Sequence, residues 1–387
     1  MIKFSLENYK GDFMKKILIF YGSYGGGHLS AAKSIKEYIE NNFEDTQIEM
    51  IDCVKYVNKA FNKITTKAYE EFAKKAPEIW GFMYKQSEHG PIAKISSDSN
   101  KLMALKLNKI LQEFDPDYVI STHPFSSQMC AYLKKKGKAS FKLATILTDY
   151  APHDQWLLYP EYVDYFFVAH SGMRDQLLLK GIDSTKVFAT GIPLSNRFLK
   201  QYDRNEILKE FNLDDSKKTV LFFAGGEFGL GKNTTLEILR TFAEDFKDLQ
   251  IVAIAGRNQS MKEHFEQIVK ESSREDSIKV LDYTNMVPEL MSISSAVVTK
   301  PGGLTTTESL ASGLPIIVIN PIPGQEEENA ELLENSGVAI WLKKDSNVKE
   351  VLENIFNNPE KLNSMKEKTK LLAKPHSTQE ICEIIFK

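Results

Sequence analysis

Two stretches of this chain read as the same supersecondary unit. An apolar run, Lys16–Tyr21, ends in the glycine-rich "GSYGGGH" and opens onto helical spacing at Ala31, Ala32, Ile35, Tyr38 and Ile39. Far downstream, "TVLFFAG" (219–225) runs into "GEFGLGK" in the same way. A strand that enters a tight turn and then a helix is the opening step of a parallel sheet, because parallel neighbours need a crossover. The other apolar runs keep the rhythm. Strands are expected at 16–21, 47–51, 117–121, 143–147, 164–168 and 187–189, with helices around 28–43, 56–75, 101–114, 125–136 and 171–180. A second series of strands is expected at 219–225, 249–256, 277–283, 295–300 and 315–321. The expected class is α/β: two open parallel sheets facing one another across a cleft, carboxyl strand ends inward, where such sheets bind ligands.

The halves are expected at 14–200 and 217–372, joined by a charged linker at 201–216 and followed by a final segment at 373–387. Residues 1–13 read as an extension, since "MKKILIF" from Met14 looks like a natural chain start. With 387 residues, 42% of them hydrophobic, the chain can build two cores. A formal charge of −3 offers no electrostatic reason to expect nucleic acid. Cys53, Cys130 and Cys382 are odd in number, widely spaced and without a C-x-x-C pair, which argues against a disulfide framework and a zinc site. A reducing cytoplasm fits that usage. No apolar run approaches the ~18 residues of a membrane span, and the first residues lack the apolar segment of a signal peptide.

Three motifs are weaker than they look. "GEFGLGKN" (226–233) matches a phosphate loop until Asn233, which stands where a Ser or Thr would hold magnesium. Its glycines, Gly226 among them, still leave backbone N–H groups open to some other phosphate. "DPD" (115–117) resembles a metal-chelating acidic pair, but Pro116 ends a helix there, so a plain connection is the better reading. "GSYGGGH" lacks the G-x-G-x-x-G spacing of a dinucleotide fold.

The strongest site lies at 299–330, "TKPGGLTTTESLASGLPIIVINPIPGQEEENA". A strand ends at Lys300, the glycines turn the chain, and a helix begins whose first amides, around Gly303, Leu304 and Thr305, can hold a pyrophosphate. Glu308, about one and a half turns into that helix, is positioned either to accept both hydroxyls of a ribose or to sit in solvent. Gln325 and Glu326 open the next helix, where they can bond a sugar's hydroxyls. Glu327 and Glu328 complement the dipole of the same helix.

Taken together, "GSYGGGH", "STHPFSS" (121–127), "LTDYAPHDQW" (147–156), "TGIPLSNRF" (190–198), "KPGGLTTTES" and "PIPGQEEENA" resemble the diacylglycerol glycosyltransferases. These are the monogalactosyl- and processive glucosyl-diacylglycerol synthases, relatives of the peptidoglycan transferase that adds N-acetylglucosamine to lipid I. The likeness runs over residues 14–387. It implies a GT-B fold of two Rossmann-like domains, inverting transfer of a hexose from a UDP-sugar to the hydroxyl of 1,2-diacylglycerol, and no cofactor or catalytic metal. It also implies a last helix, after Lys374-Pro375, that returns to the N-terminal domain. Glucose is favoured over galactose as the donor hexose, although one epimeric hydroxyl changes only about one or two hydrogen bonds.

Carried over by position, the resemblance makes His28 the general base, with Gly26 and Gly27 letting the backbone approach donor and acceptor. An attacking alcohol must lose its proton, and imidazole is suited to take it. A helix-capping histidine is the alternative, although caps prefer Ser, Thr, Asp and Asn. Lys300, Gly226 and the helix-start amides meet the charge of departing UDP. Asn258, in "AGRNQSM", and Val287 fall at the uracil, and Asp149 either orients His28 or binds acceptor. His153 and Trp156 belong to the acceptor side, with a core position as the other reading for Trp156. "GEFGLG" departs from the family as a longer, bulkier loop. A polyprenyl-linked acceptor, a UDP-sugar epimerase and a non-catalytic UDP-sugar-binding regulator are the competing readings.

Charge suggests how such a protein meets lipid. Between Lys55 and Glu113 there are eleven lysines against six acids, together with Phe61, Trp80, Phe82, Met83 and Tyr84. That combination suits an anionic membrane surface, with peripheral attachment at its cytoplasmic face. A solvated helical face over an internal apolar cluster gives the same counts.

Overall fold

The structure, a computed structural model, describes residues 14–22, 26–57, 104–224 and 231–387, apart from the side chain of Val54. Most of the expected helix at 56–75, most of the basic aromatic segment, and Gly25 and Gly226 lie outside these residues. Twelve strands form two six-stranded sheets among the described residues. The first contains β1 (Lys15–Tyr21), β2 (Thr46–Asp52), β3 (Tyr118–Ser121), β4 (Lys142–Ile146), β5 (Tyr165–Phe167) and β6 (Val187–Phe188). The second contains β7 (Lys218–Phe223), β8 (Leu249–Ile254), β9 (Ile278–Leu281), β10 (Ala296–Thr299), β11 (Ile316–Val318) and β12 (Ala339–Trp341). Their orders are β2-β1-β3-β4-β5-β6 and β12-β11-β10-β7-β8-β9, and every described pairing is parallel.

This is the expected α/β architecture of two Rossmann-like units in GT-B arrangement. In each sheet the order reverses once, between β1 and β3 and between β7 and β10. Those reversals leave crevices beyond the carboxyl ends, the places where ligands bind such sheets. They carry Gly26–His28 with Thr122–His123 on one side, and Ala224 with Lys300–Gly303 on the other. β12 had no counterpart among the expected strands, because three residues make no periodic run. Conversely, β8 and β9 are shorter than expected: Ala255–Arg257 and Tyr283 leave the sheet at its carboxyl edge.

The strands are buried on both faces, as parallel sheets covered by helices must be. Ile17, Leu18, Ile19 and Phe20 have no exposed surface. Leu18 and Phe20 belong to an apolar cluster that continues through Ile192, Ile207 and Leu208 to Leu221 and Val252 of the second sheet. Ile17 and Ile19 face the other way, onto Ile381, Cys382 and Ile385 of the last helix, Ser377–Phe386. Burying each such side chain contributes about 1.5–3 kcal/mol. The last helix is tied in by hydrogen bonds as well. Ser377 donates to the carbonyl of Ile192 (2.7 Å), and Thr378 donates to the carbonyl of Leu194 while accepting its N–H. Gly191, at φ +96°, is the point of closest passage, since a Cβ there would stand 2.4 Å from Cβ of Lys374.

Candidate active site

The carboxyl ends of the two sheets enclose a cavity of about 680 Å³. That is a volume suited to one nucleotide-sized ligand. Its near wall is Gly26–Ser30, Lys33, Thr148 and Asp149, and its far wall includes Lys300, Gly302–Thr305, Gln325 and Glu326. Ten residues singled out by sequence are thereby brought together: Gly26, Gly27, His28, Asp149, Lys300, Gly303, Leu304, Thr305, Gln325 and Glu326.

His28 opens the helix Gly27–Asn42, which starts with no side-chain cap. Its ring is held at Nδ1, which lies 2.5 Å from the carbonyl of Thr122 and 3.0 Å from the hydroxyl of Thr148. A carbonyl only accepts, so Nδ1 carries the proton and Nε2 keeps its lone pair. Thr122 in turn donates its hydroxyl to the carbonyl of His28 (2.9 Å). His123 packs edge-on against the His28 ring, centroids 4.7 Å apart, with Trp156 at 6.5 Å. Gly22 makes this possible: a Cβ there would lie 2.4 Å from Cδ2 of His123. Crowding by this wall lowers the pKa of His28 to about 4, against a smaller upward pull from the Thr122 carbonyl. The imidazole is therefore neutral at physiological pH, although part of the residue still faces the cleft. Burial and the neighbouring His28 likewise hold His123 well below the usual histidine range.

Asp149 does not orient the imidazole, the first of the two roles expected of it. Thr122 and Thr148 occupy Nδ1, and the Asp149 carboxyl hydrogen-bonds Asn329 instead. Burial and the facing Glu326 raise the pKa of Asp149 to about 7, eased by the Asn329 bond. Across the cleft, burial raises Glu326 and lowers Lys300, and each moderates the other. Glu326 accepts the N–H of Ile322 (2.7 Å), which fixes its carboxylate at the cavity edge. Glu327 caps its own helix by accepting the N–H of Gly324 (3.1 Å), as its position suggested.

Several expected residues stand elsewhere. Asn258 is the N-cap of the helix Gln259–Glu271, its side chain accepting the N–H of Met261 (3.1 Å). Cap preference outweighs the loop likeness at that position. His153 is buried and accepts the N–H of Gln155 (3.2 Å), so it caps the turn Asp154–Leu157 and lines no wall. Trp156 is core, 3% exposed, and forms the backing of His28. Val287 opens the helix Val287–Ile293 away from the cavity lining. Glu308 lies behind the lining, and burial raises its pKa to about 8. Gly231, expected in a phosphate turn, is a packing glycine: at φ +71° it lies beneath Asn320, which donates to its carbonyl (3.1 Å).

Two residues that sequence reasoning passed over face the cavity. Arg257 and Tyr283 leave β8 and β9 side by side, the guanidinium 5.0 Å from the ring centroid. A stacked cation and ring offer a flat surface to a planar group. Arg257 adjoins Asn258 in the chain and follows directly on the expected strand 249–256, which is the signal that could have found it. Among the described residues no group of three or more His, Cys, Asp or Glu is placed to hold a metal ion.

Comparison with known proteins agrees with this geometry. The family model described as monogalactosyldiacylglycerol (MGDG) synthase matches residues 28–194, and that of the glycosyltransferase family 28 C-terminal domain matches 220–381. A processive diacylglycerol beta-glucosyltransferase of Bacillus pumilus is 31% identical over 377 residues, covering 96% of this chain and 94% of the relative. One from Bacillus subtilis is 29% identical, covering 96% and 95%. Among solved structures, Staphylococcus aureus MnaA in its UDP co-structure superposes with a TM-score of 0.64 at 14% identity, covering 96% of each chain. Acinetobacter baumannii MurG gives 0.61 at 13%, covering 96% of this chain and 99% of that one. Structural likeness at such identity speaks for the fold, while the sequence relatives speak for the family. The chain is a glycosyltransferase, a member of the diacylglycerol glycosyltransferase family with a family 28 C-terminal domain.

Proposed function

We propose that this enzyme transfers glucose, with inversion, from UDP-glucose to the hydroxyl of 1,2-diacylglycerol, and that it can extend the product with further glucose. The observation that carries the reading is the meeting of His28 with the start of the helix Gly303–Ala311 across one cavity. Gly27 and Leu304 are in contact there, a Cβ on Gly27 falling 3.3 Å from Cδ2 of Leu304. One wall offers a base with a free lone pair, and the other offers helix-start amides and Lys300 to a diphosphate. Those groups answer the charge of a nucleoside diphosphate leaving group from the protein's own side chains and backbone.

In this reading the uracil rests against Arg257 and Tyr283, and the ribose turns towards Glu308, which stands just behind the helix-start lining and meets its hydroxyls once UDP is seated. Gln325 and Glu326 hold the hexose. Nε2 of His28 takes the proton of the lipid alcohol as its oxygen attacks the anomeric carbon and the bond to UDP breaks. The Thr122 carbonyl, already receiving Nδ1–H, steadies the imidazolium as it forms. Asp149, its carboxyl on the cavity wall, binds the acceptor. A lipid acceptor supports peripheral attachment to an anionic membrane face. Among the described residues no helix is long and apolar enough to cross a membrane.

The test is to incubate the protein with vesicles containing diacylglycerol and anionic phospholipid, with UDP-glucose or UDP-galactose, and to read lipid products by mass and anomeric configuration. β-Glucosyl-diacylglycerol is expected, with a second sugar on longer incubation. Galactolipid alone would correct the donor. UDP-sugar interconverted without lipid, or bound without turnover, would overturn the transferase reading.

A further inference from the structure

Three consecutive residues after β4 connect the general base to the donor wall. Thr148 places its hydroxyl 3.0 Å from Nδ1 of His28. Its carbonyl lies against Gly303 so closely that a Cβ on that glycine would stand 1.9 Å from the oxygen and 2.9 Å from the carbonyl carbon. No real Cβ tolerates such a contact. The nearest atoms belong to Thr148 and Asp149 across the cleft, so this glycine is required by the approach of the opposite domain. Tyr150 completes the set. Its N–H donates to Oδ1 of Asn329 (3.0 Å), and its hydroxyl donates to Thr307 (3.0 Å), whose own proton goes to the Gly303 carbonyl (2.8 Å).

Asn329 is the centre of this contact. It has no exposed surface, and its amide reaches both domains at once: Nδ2 donates to the carbonyl of Pro301 (2.9 Å), Oδ1 receives Tyr150, and the Asp149 carboxyl is a further partner. A buried amide with its groups satisfied from two bodies admits one relative placement of them. Pro301 lies two residues before Gly303, so the same side chain holds the start of the donor helix and the segment that holds His28.

We propose that Asn329 and Gly303 together form an interdomain pin that sets the distance between His28 and the donor helix, which makes both of them positioning residues for transfer. The proposal rests on the function proposed above for His28 and that helix. Misplacing a base by 1 Å costs on the order of 10²-fold in rate, so the pin governs kcat while the donor's own contacts govern KM.

Gly303→Ala, Asn329→Ala and their combination test this, with vesicle transfer kinetics, UDP calorimetry and small-angle scattering. Each single variant should lower kcat roughly 10–100-fold, and scattering with UDP bound should show a more open molecule; the KM for UDP-sugar should stay within about 3-fold in Asn329→Ala, whereas Gly303→Ala, which also disturbs a helix-start amide at the diphosphate, is read by kcat and scattering. The double variant should lose little more than the worse single one, because both act through one contact. Tyr150→Phe removes only the hydroxyl bond and guards against misfolding. It should lower kcat roughly 3–10-fold with the melting temperature little changed. A donor KM raised more than about tenfold at unchanged kcat in Asn329→Ala would overturn the pin and make that amide a donor contact. Losses that multiply in the double variant, or full kcat in Tyr150→Phe, would overturn it too. If the wild-type protein makes no glycolipid, the functional reading falls separately. Scattering still decides the pin, because Gly303→Ala must open the molecule.

Discussion

Replacing Glu308 with Gln should make the protein more stable and a poorer binder of UDP. The carboxyl sits within the helix Gly303–Ala311, and no ion pair among the described residues includes it; burial alone raises its pKa from 4.5 to about 8. A carboxyl whose pKa is higher in the folded chain contributes a penalty that is absent below the unfolded value. The penalty grows as pH rises from about 4.5 to 8 and is constant above that. At pH 7 the unfolded chain carries the carboxylate and the folded chain the acid, a difference of up to about 3 kcal/mol, reduced by whatever water reaches the group. Glutamine keeps the shape without the ionisation, so the variant should gain up to that amount at pH 7, shrinking towards zero as pH falls to 4.5. Its amide offers a single accepting oxygen, where the carboxyl group has two for the ribose hydroxyls. Loss of one of those bonds should weaken UDP binding roughly 3–10-fold. Urea unfolding at several pH values and titration calorimetry with UDP read the two effects separately. A variant less stable than wild type at pH 7, or one that binds UDP equally well, would refute the reasoning.

His28→Ala should lower kcat by roughly 10²–10⁴-fold while UDP still binds, and near-normal turnover would remove the base assignment. Because burial lowers the pKa of His28 to about 4, its ring protons in an NMR titration should stay constant from pH 8 down to about 5; a midpoint near 6.5 would mean that the ring is solvated. Tyr283→Ala should raise the KM for UDP-sugar by roughly tenfold at constant kcat, since stacking on a base contributes about 1–3 kcal/mol; an unchanged KM would move the uracil elsewhere. Arg274→Leu should lower stability by about 2–4 kcal/mol in urea unfolding, because its guanidinium serves the carbonyls of Ala243, Phe246 and Leu249, which would be left unpaired. A loss below about 0.5 kcal/mol would show that water replaces it.

Much of the fold is legible in the amino-acid order, and for a definite reason. Apolar runs such as Lys16–Tyr21, helical spacing such as Ala31–Ile39, and glycines at strand ends are local properties, and the strands and crossovers follow them closely. Legibility fails where local pattern is short or ambiguous. Ala339–Trp341 is three residues long, and Asn258 lies at a position where a helix cap and a ligand contact look alike. The positions of the two cavity walls are likewise legible, because a histidine after β1 and a helix start after β10 each belong to one strand–turn–helix unit. Their full complement is not: Arg257 and Tyr283 come from different strands and meet only at the sheet's edge.

By itself the sequence determined the α/β class, the two sheets and the residues at their switch points, since period and turn chemistry act over a few neighbouring residues. Tertiary structure alone decided which residues meet across the cleft. Tyr150 and Asn329 are 179 residues apart in the chain, and Gly303 is required by a carbonyl on the other domain. Gly231 is required by Asn320, and the His28 ring is held by Thr122 and Thr148. Such pairings arise only when two bodies, each folded by its own local pattern, come together and bury the groups between them.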